Sequence, residues 1–255
     1  MPEFDGMTAL VTGASSGIGR ATAQLLASRG ARVLATARRA AALSELEEGP
    51  ETGGRCVAVA GDLRDDSFTD TLVAAARERL GGLDILVNAA GILVAGSWDS
   101  TDLEAWDRMM SINLRSVFCL TRCALPLLRE RKGTVINVSS VAGTRAFPGV
   151  LAYCVSKAAV DQLTRCLALE LAASGVRVNA VNPGVVRTGL HRSGGMDEES
   201  YATFLEHSTE THPLGRVGEP QEIAELIAFL ASRRAGWITG ETVAIDGGRA
   251  QTCAR

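Results

Sequence analysis

Short apolar runs alternate with longer helical segments along all 255 residues, and this alternation restricts the fold more than any other feature. The runs are TALVT at 8–12, RVLAT at 32–36, CVAVA at 56–60, DILVN at 84–88, GTVINV at 133–138, VRVNAV at 176–181 and TVAID at 242–246. Their apolar residues fall on consecutive positions rather than on every second one. A strand with water on one face alternates, whereas a strand covered on both faces does not. The runs therefore predict a mostly parallel sheet between two helical layers. Helical periodicity fills the intervals at 17–29, 41–48, 66–80, 102–130, 153–172 and 219–231. The fourth of these is expected to break near Pro126, because proline has no N–H to donate. The expectation is an α/β fold: a doubly wound, Rossmann-like sheet of seven parallel strands with helices on both faces. No repeat or linker divides the chain, so residues 1–255 read as a single domain. Residues 184–218, rich in Gly, Ser, His and Pro, read as one long irregular loop. Such a loop is usually a lid over a site. Leu190, Met196, Tyr201 and Phe204 are its apolar cover.

Composition excludes several classes. An apolar fraction of 46% with 22% charged residues is not that of a disordered, collagenous or coiled-coil chain. A net charge of −3 offers no basic field for nucleic acid. No stretch approaches the roughly 18 apolar residues of a membrane span. MPEFDG at the N-terminus lacks the basic and apolar regions of a signal peptide. Cysteines 56, 119, 123, 154, 166 and 253 form no CxxC and no metal-ligand spacing, so they read as free thiols in a reducing, cytoplasmic compartment. His191, His207 and His212 show no metal spacing either and read as surface or rim residues.

The residues able to do chemistry follow the strands. Thr12-Gly13-Ala14-Ser15-Ser16-Gly17-Ile18-Gly19 joins the first strand to the first helix. Its glycines allow a tight turn and close approach of a ligand, and the helix N-terminus offers N–H groups to a pyrophosphate. The spacing is G-x3-G-x-G rather than G-x-G-x-x-G, and a glycine-rich turn can also stand without a ligand. Tyr153 and Lys157, four apart, share one helix face. Lowering a tyrosine pKa from near 10 to neutrality takes roughly 4 kcal/mol, and the Lys157 ammonium has the right sign of charge. An ordinary amphipathic helix would also carry one Tyr and one Lys. Ser140, at the end of the fifth run, lies where such sheets bind ligands. Ala37-Arg38-Arg39 ends the second run without an acid. Arg38 can pair bidentately with a phosphate, with Arg39 as a second partner, unless both are simply solvated. Asp62 follows the third run and reads as a ligand contact or a turn residue.

The TGxxxGIG element resembles that of the short-chain dehydrogenase/reductase family, and the rest of the chain agrees in order and spacing. Asn88-Ala89-Ala90-Gly91 is similar to the family's N-N-A-G, with Ala89 for the second Asn. Asn113 lies in S-I-N-L, Ser140 precedes Tyr153 by thirteen residues, and Tyr153-Cys154-Val155-Ser156-Lys157 matches YxxxK. Asn182-Pro183-Gly184 and Asp246-Gly247-Gly248 complete a resemblance over about residues 6–249, nearest to 3-oxoacyl-carrier-protein-reductase-like and broad carbonyl-reductase members.

The resemblance implies a catalytic set of Asn113, Ser140, Tyr153 and Lys157. Tyr153 would be the acid in reduction and the base in oxidation. Lys157 would depress its pKa, aided by the oxidised nicotinamide, and hold the ribose. Ser140 would orient the carbonyl, and Asn113 would hold a water linking Lys157 to solvent. Cofactor contacts are implied at Gly13, Ser15, Ser16, Gly17, Ile18 and Gly19, and at Arg38, Arg39, Asp62 and Leu63. Others are implied at Asn88, Ala89, Gly91, Tyr153 and Lys157, and at Pro183, Gly184, Val186 and Thr188. Arginine in place of an acid favours NADP (NADPH) over NAD. The expected activity is hydride transfer between NADP(H) and a small-molecule carbonyl or secondary alcohol, with no metal, nucleic-acid or membrane partner. Assembly as a homotetramer or homodimer through 102–130 and 153–172 is also implied. Three alternatives stand beside it: a catalytically silent NADP-binding regulator, an NAD-dependent alcohol, steroid or sugar dehydrogenase, and an extended-branch epimerase or dehydratase. The last usually carries TGxxGxxG.

Overall fold

The structure is a computed structural model and describes residues 2–252, so Cys253 lies outside the described residues. Strands β1 (Thr8–Thr12), β2 (Arg32–Ala37), β3 (Cys56–Ala60), β4 (Ile85–Asn88), β5 (Thr134–Val138), β6 (Arg177–Pro183) and β7 (Thr242–Ile245) pair in parallel. Their order is 3-2-1-4-5-6-7, and the seven parallel strands are those the apolar runs predict. The helices are α1 (Gly17–Ser28), α2 (Ala40–Glu48), α3 (Asp66–Ala75), α4 (Leu103–Met110), α5 (Ser116–Arg131), α6 (Leu151–Leu171), α7 (Leu190–Ser193), α8 (Glu198–Thr211) and α9 (Pro220–Ala231). The chain steps outward from β1 to β3, then returns to the other side of β1 as β4. That reversal opens a crevice beyond the carboxyl ends of β1 and β4, where doubly wound sheets bind ligands.

Successive strand residues serve opposite faces. Ala9, Val11, Val33 and Ala35 pack with Leu26 of α1, Leu43 of α2 and Ile227 of α9. Leu10, Leu34, Leu86 and Val135 face the other way, against Leu72 of α3 and Leu120, Leu127 and Leu128 of α5. Each fully buried leucine contributes about 1.5–3 kcal/mol, which explains strands with no polar side.

Two expectations are corrected. The fourth helical segment does not break at Pro126, which lies within α5. Pro126 and Arg122 are both exposed, so the carbonyl deprived of its N–H partner is on the water side. The break comes earlier, as a π turn at Ser111–Arg115. Residues 184–218 are not a structureless loop either, because they fold into α7 and α8. Asp197 caps α8, its carboxylate accepting from Ser200 N at 2.7 Å. Tyr201, Leu205 and Val217 give that segment a small core of its own.

Candidate active site

A cavity of about 1530 Å³ lies along the carboxyl edge of the sheet. Ordinary small-molecule pockets occupy about 300–1,000 Å³, so there is room here for a dinucleotide and a second small molecule. The glycine turn forms one wall. Gly13 has φ +67, and a Cβ there would stand 2.7 Å from the Ala89 carbonyl oxygen. A Cβ on Gly19 would stand 2.5 Å from the Gly13 carbonyl oxygen. A side chain at Gly13 would push the β1 and β4 turns apart, and one at Gly19 would push α1 off the β1 turn. Ser16 occupies the N-cap of α1 but makes no side-chain bond to the helix, and the first turn holds no acid. Its N–H groups are thus available to an anion. The residues present therefore fit a dinucleotide pyrophosphate.

Thr12 organises this corner, a role the sequence reading left unassigned. Its hydroxyl oxygen accepts from Ala89 N and Ala90 N, each at 3.0 Å, and so clamps the β4 turn to the β1 turn. The one signal for it was a threonine directly preceding Gly13.

Arg38, Arg39, Asp62 and Leu63 line the far end of the cavity. Arg39 is turned back toward the glycine turn, donating to Ser15 O at 3.2 Å and Ser15 Oγ at 3.3 Å. Arg38 is exposed on the wall and forms no ion pair among the described residues. The Asp62 carboxylate accepts from Arg64 Nη2 at 2.6 Å. That hydrogen bond, with the charges of Arg64 and then Arg38, holds the carboxyl below the usual carboxylate range.

Ser140, Tyr153 and Lys157 meet at the middle of the cavity. Ser140 stands two residues past β5, at the start of a single 3-10 turn, Val141–Gly143. Ala142 N donates to its Oγ at 3.1 Å, which fixes the hydroxyl. Tyr153 is 7% exposed, in the first turn of α6 among Met109, Ala142 and Ala152. Burial pushes its pKa up to about 12, and the neighbouring Ser140 hydroxyl works in the opposite direction. Lys157 Nζ donates to Val138 O at 2.8 Å and stands 5.7 Å from the centre of the Tyr153 ring. Burial lowers its pKa to about 8, opposed by the charge of Asp161. The ammonium is committed to the Val138 carbonyl, and burial dominates the tyrosine.

The Asn113 side chain does not face the cavity. Its Oδ1 accepts from Ile92 N at 2.8 Å, and its Nδ2 donates to Ile92 O at 2.9 Å and Ser156 Oγ at 3.0 Å. The amide clamps the loop after β4 onto α6, and the π turn gives it that direction. Asn88 is likewise buried away from the cavity, its Nδ2 donating to Asn137 Oδ1 at 2.9 Å and Thr121 Oγ1 at 3.2 Å. It ties β4 to β5 and α5, and Ala89 and Gly91 form the wall instead.

Pro183, Gly184, Val186 and Thr188 line the cavity as expected. The Thr188 methyl closes on the glycine turn, 3.1 Å from where a Cβ on Gly17 would lie. Leu190, Met196 and Phe204 face the cavity, but Tyr201 turns away and donates its hydroxyl to Thr188 O at 2.8 Å. His191 stacks at 4.5 Å on Phe204. His212 is not a rim residue, because it is buried. Its Nε2 accepts from Val185 N at 3.1 Å, leaving Nδ1 to donate to Ser208 O at 2.6 Å. Burial holds its pKa below the ordinary value, which keeps the ring neutral.

A glycine turn against an open helix N-terminus, with a buried Ser–Tyr–Lys group at the same sheet edge, defines a dinucleotide-binding oxidoreductase. Known proteins agree. A family model described as enoyl-(acyl carrier protein) reductase matches residues 13–250. The 3-oxoacyl-[acyl-carrier-protein] reductase of Vibrio cholerae is 39% identical over 246 residues, 96% of this chain and 98% of that one. Oxidoreductase UcpA of Salmonella typhimurium is 40% identical over 255 residues, 97% of this chain and 96% of that one. A short-chain dehydrogenase/reductase of unknown function from Caenorhabditis elegans, solved with cofactor, superposes with a TM-score of 0.92. It is 34% identical, covering 98% of this chain and 97% of its own. The chain belongs to the short-chain dehydrogenase/reductase family, in its 3-oxoacyl-carrier-protein-reductase-like branch. It is an oxidoreductase of the carbonyl/alcohol class that uses a nicotinamide dinucleotide.

Proposed function

We propose that the chain is an NADP(H)-dependent carbonyl reductase with Tyr153 as its proton donor. The observation that carries this reading is the meeting of Ser140, Tyr153 and Lys157 on the wall of a cavity that also presents Arg38. The bound dinucleotide supplies the hydride. Ser140, fixed by Ala142 N, directs the carbonyl oxygen toward Tyr153. Tyr153 keeps its proton at neutral pH and donates it to that oxygen as the alkoxide forms. Lys157, anchored on Val138 O, places its remaining N–H groups toward a ribose. Leu190, Met196 and Phe204 exclude water from the reacting centre.

The test is a screen of ketones and alcohols that follows NADPH absorbance. Oxidation of NADPH by at least one ketone is expected, with NADH slower. NADPH binding without turnover of any ketone would turn the reading into that of a silent regulator.

Self-association is part of the same proposal. Phe118 on α5 and Val155 and Leu169 on α6 are apolar side chains left in water, Leu169 at 83% exposure. We expect light scattering at micromolar concentration to give a dimer or tetramer. A mass of 26.7 kDa alone would overturn this.

A further inference from the structure

Asp161 lies one helical turn beyond Lys157 on α6 and is 2% exposed. A carboxyl is seldom buried this deeply without a charge partner. Its Oδ2 accepts from Asn182 Nδ2 at 2.9 Å, and the same amide donates to Ser140 O at 3.0 Å. One carboxylate thus reaches the peptide of Ser140 through one asparagine of β6. The turn that carries Ser140 rests directly on it. A Cβ on Gly143 would stand 2.5 Å from Asp161 Oδ2 and 3.0 Å from Lys157 O. Ser139, the residue after β5, donates its hydroxyl to Lys157 O at 3.2 Å beside the carboxyl. Asp161 Oδ1 has no hydrogen-bond partner among the described residues. A buried acceptor left over costs about 1–3 kcal/mol, so packing gives no reason for a carboxyl at this position.

Charge gives one. The groups facing Asp161 from the residue after β5, from β6 and from the 3-10 turn are Ser139, Asn182 and Gly143, all neutral. Its charged neighbours are both on α6: Lys157, which is buried, and Arg165, which is exposed and screened by water. Lys157 in turn meets Tyr153 on its own helix, the Val138 carbonyl from β5, and Gly91 and Asn113 from the loop and the π turn, none of them charged. We propose that Asp161 is a positioning residue of the site. Its carboxylate anchors the Ser140 turn through Asn182 and supplies the buried negative charge that keeps Lys157 an ammonium. The benefit to catalysis rests on the roles given above to Ser140, Tyr153 and Lys157; the charge relation between Asp161 and Lys157 does not.

The chain has two lysines, Lys132 and Lys157, so the relation can be read directly. Protein labelled with 13C-lysine gives two ε-methylene signals, and Lys132→Arg assigns them. Asp161→Asn removes the charge but keeps an oxygen to accept from Asn182. The Lys157 titration midpoint is expected to fall by roughly one pH unit in this variant, as for loss of a close opposite charge. Lys132 should not move. Should Asp161→Asn not fold, Asp161→Ser removes the same charge with less bulk and carries the same expectation. An unmoved Lys157 midpoint overturns the proposal. The pH profile of NADPH oxidation separates the two readings. If Lys157 shifts and the alkaline limb of kcat/KM shifts with it, both stand. If Lys157 shifts and that limb stays, the charge relation stands and the catalytic role of Lys157 falls.

Discussion

Replacing Tyr153 with phenylalanine is expected to lower kcat by about a thousandfold, while the protein keeps its fold and its affinity for NADPH. The ring sits among Met109, Ala142 and Ala152, and phenylalanine fills the same space. What disappears is one hydroxyl, with its proton, beside Ser140 on the cavity wall. A positioned acid accounts for roughly 10²–10⁴ in rate, so the loss falls in kcat rather than in cofactor binding. Single-turnover kinetics with a substrate from the ketone screen, together with a fluorescence titration of NADPH, separate the two quantities. Retention of more than a few per cent of kcat would remove Tyr153 from the role assigned to it.

The second large effect concerns the cofactor. The 2′-phosphate of NADPH carries nearly two negative charges. Beside Arg38 it gains charge-assisted hydrogen bonds of roughly 1.5–3 kcal/mol, which amounts to a ten- to hundredfold preference over NADH. Arg39 contributes less than its sequence position suggests, because its guanidinium is engaged with Ser15. Ala37→Asp with Arg38→Leu is expected to reverse the preference. The new carboxylate repels the phosphate and accepts from the ribose hydroxyls of NADH. The measurement is kcat/KM for each cofactor on one ketone, at low and high salt. A wild-type ratio near one, or in favour of NADH, would show that Arg38 serves solvent only.

The strands and their parallel, doubly covered sheet were legible because they depend on local signals that tertiary packing reinforces. A run such as ALV in β1 has no polar side to expose, so both faces had to be covered. The glycine turn was legible for a similar reason, since Gly13 and Gly19 mark contacts that admit no Cβ. The directions of amides were not. Asn88 and Asn113 each occupy a position that the family resemblance connects with the site, yet their side chains bond Asn137 and Ile92. Nothing within a few residues of either specifies that partner. The helices α7 and α8 were hidden by their glycines, histidines and prolines. Only the long-range core of Tyr201, Leu205 and Val217 makes that segment fold. His212 was misplaced for the same reason, since its buried partner is Val185, 27 residues earlier in the chain. Asp161 gave no signal at all, as an aspartate on a helix ordinarily reads as a solvated face.

The π turn between α4 and α5 also limits how this protein can change in length. Its wide turn amounts to one residue inserted into an otherwise continuous helix from Leu103 to Arg131. Deleting a residue there would restore regular helical geometry and rotate every later side chain by about 100°. Leu120, Ala124 and Leu127 would leave the sheet, and Asn113 would lose Ile92. The irregularity keeps in phase two half-helices that answer to different neighbours, α4 to α6 and α5 to the sheet. Insertions and deletions can accumulate in the surface turns, but this stretch must change by substitution alone.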